Sequence, residues 1–366
     1  MTLWAGKGNR MLSLGIMSSQ LRSEEMYFTE VALASEKENL FVYRFCPAKI
    51  DTGAETIHGE KYDYPTKEWI ASQFSIPDFI YDRSFHGLIR QSEKVRFKIE
   101  WLKNHSAFLG FGLPGKHTVF QSLAQMDRLS RFLPPVKRMN KTGDIWRELS
   151  SHKKIILKPE FGSRGIGIYL LCMEADGWLV RMTKRENGYE RFFDKKAALE
   201  RWFLQLLQEC PYVSQPYIEL SNSEDEPYDV RIMLQKDSKN NWIERGRGVR
   251  VGRKHCITAN LAAGARAVRF ESLLQTFPPL LQPKIEMEIQ DIIHQLPIEL
   301  EDKFNRLFEI GLDLGIDKKG GVWILDINSK PGRKVIELLH PDKMHQLYKA
   351  PALYCRCLAG ELLESR

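Results

Sequence analysis

The sequence predicts an α+β protein with a largely antiparallel sheet, preceded by a small α/β unit. Three observations carry this. Residues 11–90 read strand, helix, strand. From residue 151 onward, short apolar strands alternate with glycine turns, so hairpin neighbours dominate. The 366 residues, at about 150 per domain, leave room for two or three domains.

Each element follows in order. MLSLGIMSS (11–19) and ENLFVYRFCP (38–47) read as strands from their aliphatic and aromatic content, and EEMYFTEVALASE between them reads as a helix. KEWIASQF (67–74) reads as a second helix and DFIYDR (78–83) as a strand. EKVRFKIEWLKNHSAFL (93–109) and HTVFQSLAQMDRLSRFL (117–133) read as helices, interrupted by GFGLPGK and closed by Pro134-Pro135. KKIILKP, GIGIYLLC and GWLVRMTK read as strands, KKAALERWFLQLLQEC (195–210) as a helix. Strands YVSQPYIEL, YDVRIMLQK and WIERGRGVRV come next, then a helical stretch over 284–314, then the strand GGVWILDINS. The tail 338–365 reads as helix broken at Pro341 and Pro351. The segmentation is 1–92, an N-terminal α/β domain; 93–150, a helical and linking part; 151–218, a subdomain with a glycine-rich loop; and 219–366, a C-terminal subdomain with a helical tail.

Composition excludes several classes. Hydrophobic residues at 43% and charged residues at 28% are ordinary globular values, so disordered and coiled-coil readings drop out. No apolar run approaches the roughly 18 residues of a membrane span. The first 19 residues hold only short apolar pieces, so no secretory signal is expected and the expected compartment is the cytoplasm. The net charge of +7 suits polyphosphate or acidic substrates. The six cysteines are scattered, and no second pair or histidine cluster turns Cys355 and Cys357 into a zinc site. No G-x-S-x-G or other nucleophile motif supports hydrolase chemistry through a covalent intermediate.

Four stretches can carry chemistry. Lys158 ends an apolar strand and is followed by a loop with Gly162, Ser163, Arg164, Gly165 and Gly167. Glycines let backbone amides approach an anion, and the lysine adds a point charge. A strand rather than a helix follows, so this is not a P-loop. Taken alone, a hairpin with a solvated lysine accounts for it equally well. Second, Asp326 and Asn328 share one face at the end of VWILDIN, and Asp313 lies upstream. Two carboxylates and an amide oxygen suit magnesium held between protein and phosphates. Asp and Asn at strand ends are also common turn formers, and Asp317 in DKKGG is assigned to a turn. Third, Asp229-Val-Arg231 is followed by a basic run from Arg245 to Lys254, in which Arg245 and Arg247 fall on one strand face and Arg250 on the other. So dense a cluster repels itself without an anion. The aromatic interleaving of single-strand nucleic-acid binders is absent from it, while a solvated strand remains an alternative. Fourth, Gln215-Pro-Tyr217-Ile218-Glu219 is an extended segment able to meet an adenine edge; by default it is a structural strand.

The order of these pieces resembles the ATP-grasp superfamily, and within it the YheC/YheD endospore coat-associated family. The matching stretches are ILKPEFGSRGIGIYLL, QPYIEL, YDVRIMLQKD, ITANLAAGARA, GLDLGIDKKGGVWILDINSKPGR and, less strongly, PDFIYDR. The resemblance implies an ATP-grasp fold, two α+β subdomains clasping ATP, preceded by a small α/β pre-ATP-grasp-like domain. It implies ATP and Mg2+ (or Mn2+) as cofactors. On it, Lys158 contacts the α/β-phosphates, with the loop 162–167 closing over them. Gln215, Tyr217 and Ile218 lie along the adenine, and Glu219 takes the ribose. Asp313, Asp326 and Asn328 hold the metal. Arg231, with Arg247, Arg250 or both, faces the γ-phosphate and an acyl phosphate, and Asn260 matches the family's ITN stretch. Lys98 is the candidate for a second phosphate lysine. Two positions depart from the pattern: Asp326 stands where Glu is common, and Ala263-Gly264 where two glycines are usual.

The implied activity is that of an ADP-forming carboxylate–amine (or thiol) ligase working through an acyl phosphate, on small-molecule or peptide substrates that the sequence does not name. Its alternative is a catalytically weak or inactive nucleotide-binding structural protein of the spore coat. A basic nucleic-acid binder is a third reading, marked by steep salt dependence.

Overall fold

The computed structural model describes residues 11–84, 93–162, 165–184, 187–261 and 264–364. They form three sheets. The first is built from β1 (Leu12–Met17), α1 (Glu25–Glu36), β2 (Leu40–Asp51), β3 (Thr56–Asp63), β4 (Glu68–Ser75), β5 (Phe79–Asp82), α2 (Glu93–Lys103) and β6 (Ala107–Phe108), in strand order β4-β3-β2-β1-β5-β6. β1 runs parallel to β2 and β5, which α1 makes possible by crossing over between the first two strands. β2, β3 and β4 form an antiparallel meander.

After α3 (Lys116–Leu123) and α4 (Asp127–Ser130), the second sheet collects β7 (Lys137–Met139), α5 (Thr142–His152), β8 (Lys154–Pro159), β9 (Tyr169–Glu174), β10 (Gly177–Lys184), β11 (Asn187–Phe193), α6 (Lys196–Glu209) and β12 (Tyr212–Pro216). It is antiparallel, in the order β11-β10-β9-β8-β12-β7. Ile145 and Leu149 of α5 and Leu199, Phe203 and Leu206 of α6 bury one of its faces.

The third sheet takes β13 (Tyr228–Lys236), β14 (Trp242–Val251), β15 (Arg266–Val268), α7 (Phe270–Leu274), α8 (Gln282–Lys303), β16 (Glu309–Ile316), β17 (Val322–Asn328), α9 (Lys334–Leu339) and α10 (Met344–Glu364), in the antiparallel order β15-β14-β13-β16-β17. Val230, Ile232 and Leu234 of β13 and Ile310, Leu312, Leu314 and Ile316 of β16 pack with Ile285, Ile289, Ile292 and Leu296 of α8. Strand alternation therefore sends Asp229, Arg231 and Asp313 to the opposite face.

The structure differs from the sequence reading at five places, the first being the stretch 93–109, whose helix ends at Lys103 and is followed by strand β6. KEWIASQF is strand β4, not a helix. It pairs residue for residue with β3, with Trp69 5.5 Å from the Tyr62 ring and under the Arg44 guanidinium at 4.3 Å. Cross-strand packing outweighs local helical preference there. The helical stretch over 284–314 ends at Lys303, and EIGLDLGI is strand β16, interior to the third sheet between β13 and β17 and buried along its whole length. The expected second helix over 117–133 is two short helices. The tail helix runs through Pro351 instead of breaking there. A helix loses one N–H bond at a proline, and the apolar face of α10, with Leu347, Tyr354, Cys355 and Leu358 against Phe28 and Val31 of α1, holds it together. Three segment limits differ as well: β6 joins the first sheet beyond residue 92, β7 and α5 join the second ahead of residue 151, and the C-terminal helix packs on the N-terminal one.

Candidate active site

A cavity of about 990 Å³ lies between the second and third sheets. It has three reaches. One end is lined by Ile156, Gln215, Tyr217, Ile218 and Leu220; the middle by Lys116, Lys158, Arg231, Arg250, Asp313 and Asp326; the far end by residues 22–27 and 329–335.

The middle is built across four strands. Gly248, Arg231, Asp313 and Asp326 are register partners in succession on β14, β13, β16 and β17. Arg231 places Nε 2.7 Å from Asp313 Oδ1, and Arg250 places Nη2 3.0 Å from Oδ2. Arg250 also grips Asp229 in a bidentate pair, at 2.6 and 2.8 Å. Gly311 makes room for the Arg231 guanidinium, since a Cβ there would lie 2.5 Å from Nη1. Burial pushes the Asp229 carboxyl up to about 6 against the pull of Arg250.

A β-bulge decides how Lys158 meets this row. Asp313 pairs with Asp326 but Leu314 with Ile324, so Leu325 is left over. Its carbonyl accepts a hydrogen bond from Lys158 Nζ at 3.0 Å, from across the cavity. Burial pushes the Lys158 ammonium down to about 8, with Asp326 acting in the opposite sense. Burial also works against the Asp326 carboxylate, but Lys116 and Lys158 outweigh it and hold the group below the ordinary carboxylate range.

The sequence reading missed Lys116. It opens α3 and its ammonium is bonded to Asp326. Its own N–H donates to the Glu160 carbonyl at 3.2 Å, while the Glu160 side chain is held by Arg138 at 2.6 Å. The signal was present in Gly112-Leu-Pro-Gly115-Lys116, a glycine–proline turn that ends on a lysine at a helix start. Lys98, the expected second lysine, sits instead on α2 and donates to the Ala48 carbonyl of the first sheet at 2.8 Å.

Gly162, Gly165, Gln215, Tyr217, Ile218, Arg231, Arg250, Asn260, Asp313, Asp326 and Asn328 do come together on the cavity. Gly165 has φ +68°, and a Cβ there would lie 3.1 Å from Asn260 Nδ2, so the glycine loop can approach the 257–261 segment only without a side chain. Ser163 and Arg164 lie outside the described residues, as does Ala263.

Four expected residues stand apart from the lining. Arg247 faces α8, bonded to Glu244 at 2.6 Å and Glu286 at 3.0 Å. Strand alternation puts it on the face opposite Arg250, and its charge is met by carboxylates. Glu219 pairs with Lys318 at 2.6 Å on the surface. Gly167, at φ +75°, lies against Pro159 and the Tyr212 hydroxyl, where it turns the chain back into β9. Lys98 is the fourth. Within this segment, the Tyr217 N–H is already donated to the Lys154 carbonyl at 3.0 Å, while residues 215–218 all line the cavity.

The donors fit a magnesium ion shared with phosphates. Asp313 and Asp326 are cross-strand neighbours, Asn328 lies two residues along on the same face, and Asp313 Oδ1 has no aligned hydrogen-bond donor despite its close Arg231. Among the described residues no group of three or more His, Cys, Asp and Glu side chains is arranged around a metal. The set is thus open, of the kind in which phosphate and water oxygens complete the shell.

The cavity thus lies between two α+β walls and is lined by cations and carboxylates. Residues 105–358 match the model of the YheC/D-like ATP-grasp family. The chain belongs to that family. It is 33% identical over 353 residues to the endospore coat-associated protein YheC of Bacillus subtilis (strain 168), covering 96% of this chain and 97% of that one. Among solved structures, D-alanyl-alanine synthetase A from Vibrio cholerae O1 biovar eltor superposes with a TM-score of 0.55 at 10% identity, covering 96% of this chain and 98% of that one. The N5-carboxyaminoimidazole synthetase of Staphylococcus aureus, complexed with ADP, superposes with a TM-score of 0.50 at 12% identity, covering 88% and 71%. At these identities the structures establish the ATP-grasp fold: two α+β subdomains behind a small α/β N-terminal unit. No helix among the described residues is long and apolar enough to cross a membrane.

Proposed function

We propose that this ATP-grasp chain binds ATP with magnesium in the cavity between its second and third sheets and acts as an ADP-forming carboxylate–amine ligase. One observation carries the reading: Lys116, Lys158, Arg231 and Arg250 converge from separate elements on Asp313 and Asp326 at the middle of one cavity. Four cations around two carboxylates suit a polyanion that brings its own divalent ion.

The adenine lies against Ile156, Gln215, Tyr217, Ile218 and Leu220. Lys158 and Lys116 meet the phosphates, and the glycine loop excludes water above them. Arg231 and Arg250 face the transferring phosphoryl group, where their fixed guanidinium forks stabilise equatorial charge without reorganising. Asp313, Asp326 and Asn328 hold the magnesium ion (manganese in its place), which when bound neutralises charge on the phosphates. A substrate carboxylate oxygen attacks the γ-phosphorus and ADP leaves. An amine then attacks the acyl carbon, loses a proton, and phosphate leaves. The far end of the cavity, from residues 22–27 to 329–335, is where the acceptor sits.

A second reading, a nucleotide-binding protein of the spore coat without turnover, is favoured by the coat-associated name of the Bacillus subtilis relative. Calorimetric titration of ATP with magnesium, beside a Lys158→Ala variant, tests the shared nucleotide site: saturable binding that weakens in the variant is expected, and no binding by the wild type refutes both readings. ADP release in a screen of carboxylates and amines then separates them.

A further inference from the structure

We propose that Lys116 and a divalent cation compete for Asp326, so that the cation is taken up together with nucleotide phosphate and not ahead of it. The inference rests on the nucleotide reading above and concerns the order in which that site fills.

Both carboxylates of the metal set carry internal partners. Asp326 Oδ1 holds the Lys116 ammonium, and Asn328 Nδ2 approaches Oδ2 at 3.3 Å. Asp313 holds Arg231 and Arg250. A divalent ion arriving alone must therefore displace an ammonium group, and it leaves that ammonium unpaired beside the buried Lys158. Two like charges in a half-buried site oppose that exchange.

Phosphate changes the balance. It gives Lys116 a second anionic partner, so the ammonium passes from carboxylate to phosphate while the carboxylate passes to the cation. Every charge stays paired throughout. The geometry suits such a move, because the backbone of Lys116 is pinned and its side chain is not. Its N–H donates to Glu160, Arg138 holds the Glu160 side chain, and a Cβ at Gly115 would lie 2.7 Å from Glu160 Oε1. Only the flexible four-carbon stem remains to swing. Lys158 is different: it is buried, and its partner is a carbonyl that no cation takes away.

The test is Mn2+ binding, followed by the electron paramagnetic resonance signal of free Mn2+, with and without ADP, for wild type, Lys116→Met and Lys116→Arg. Wild type is expected to bind Mn2+ roughly tenfold or more tightly when ADP is present. Lys116→Met is expected to bind Mn2+ alone about tenfold more tightly than wild type, and to gain less from ADP. Lys116→Arg keeps the charge and is expected to follow wild type. Equal affinity of wild type and Lys116→Met for Mn2+ alone overturns the proposal, provided both melt cooperatively. Calorimetry with ADP is run in parallel. If ADP does not bind, the nucleotide reading fails, yet the contrast between the two proteins with Mn2+ alone still decides whether Lys116 and the cation compete.

Discussion

Strand β16 passes through two clusters of charge that use the same residue types to opposite ends. Glu309 at its start lies in a charge-balanced cluster with Arg83, Arg333 and Glu24, packed with Tyr81 and Tyr27, whose Glu24 and Arg333 border the far end of the cavity. Asp313 at its middle lies in the cavity with Arg231 and Arg250. In the cluster around Glu309 two arginines meet two carboxylates. Arg83 donates to Glu24 at 2.8 and 2.9 Å and to the Pro331 carbonyl at 3.0 Å, and Arg333 bonds Glu24, Glu309 and Tyr81. At the middle of the cavity four cations face three carboxylates, counting Asp229. A network whose cations and carboxylates match one for one ties elements together. A cluster with a spare positive charge and an open side receives an anion.

Arg333→Met removes a guanidinium that touches both carboxylates and leaves them short of partners in a buried place. We expect a loss of about 3–5 kcal/mol in denaturant unfolding, the cost of leaving buried charge uncompensated. The variant joins Glu24 ahead of α1 and Arg83 after β5 less firmly to Glu309 of the third sheet, so the midpoint shifts while the four cations at the middle of the cavity are untouched. A shift under about 1 kcal/mol would mean that the cluster is not a structural tie.

At the cavity end the expected effect is on ligand, not on folding. Lys158→Ala is predicted to weaken ATP by about 2 kcal/mol, roughly thirtyfold, with the midpoint of unfolding unchanged or raised. The reason is that Lys158 is buried with one carbonyl as its hydrogen-bond partner, and burial of its charge already costs stability. If the variant unfolds early and binds ATP normally, the two clusters are alike and the contrast fails.

The pH dependence follows from the same residue. With its folded value down at about 8 and an ordinary lysine value of 10.5 once unfolded, Lys158 binds fewer protons in the folded state between those limits. Stability from this group therefore rises as pH climbs from about 8 towards 10.5 and is flat below. Affinity for phosphate runs the other way, falling as the ammonium loses its proton above about pH 8. Glu24 in the Glu309 cluster gives the acid-side counterpart. Although burial opposes its charge, Arg83 and Arg333 hold it down at about 2, so its contribution is complete above the ordinary value of 4.5 and is lost as pH falls towards 2. Titration of unfolding in the presence and absence of ATP reads both. Ligand affinity that holds constant from pH 7 to 10 would separate Lys158 from phosphate binding.

Much of the cavity was legible in the sequence, because its chemistry lies at strand ends in a fixed order. Lys158 before the glycine loop, Asp-x-Arg at 229–231 and Asp-x-Asn at 326–328 each depend only on alternation along one strand. What alternation cannot carry was not legible. The bulge that frees the Leu325 carbonyl depends on the pairing of β16 with β17. The carboxylates that quench Arg247 come from Glu244 beside it and from Glu286 on a helix about forty residues on. The cluster around Glu309 draws on residues 24, 83, 309 and 333, whose meeting no local pattern announces.

The choice between the two lysines of the first helical stretch is the finest point of the comparison. Lys98 and Lys116 both sit in basic helical segments, and Lys98 has the more regular helix around it. Their surroundings differ completely. Lys98 points its ammonium at the Ala48 carbonyl on the outer side of the first sheet, whereas Lys116 follows Gly115 and Pro114 into the cavity. A glycine–proline turn delivers a helix start to a ligand, while a helix middle delivers a lysine to whatever surface the helix covers. Lys98→Ala is thus predicted to leave ATP affinity within about twofold of wild type, as surface substitutions away from a site do. Lys116→Ala should lower it by about tenfold, the loss of one charge-assisted contact. Equal losses for the two lysines, measured by calorimetry under one set of conditions, would mean that the helix carrying Lys98 closes onto the nucleotide.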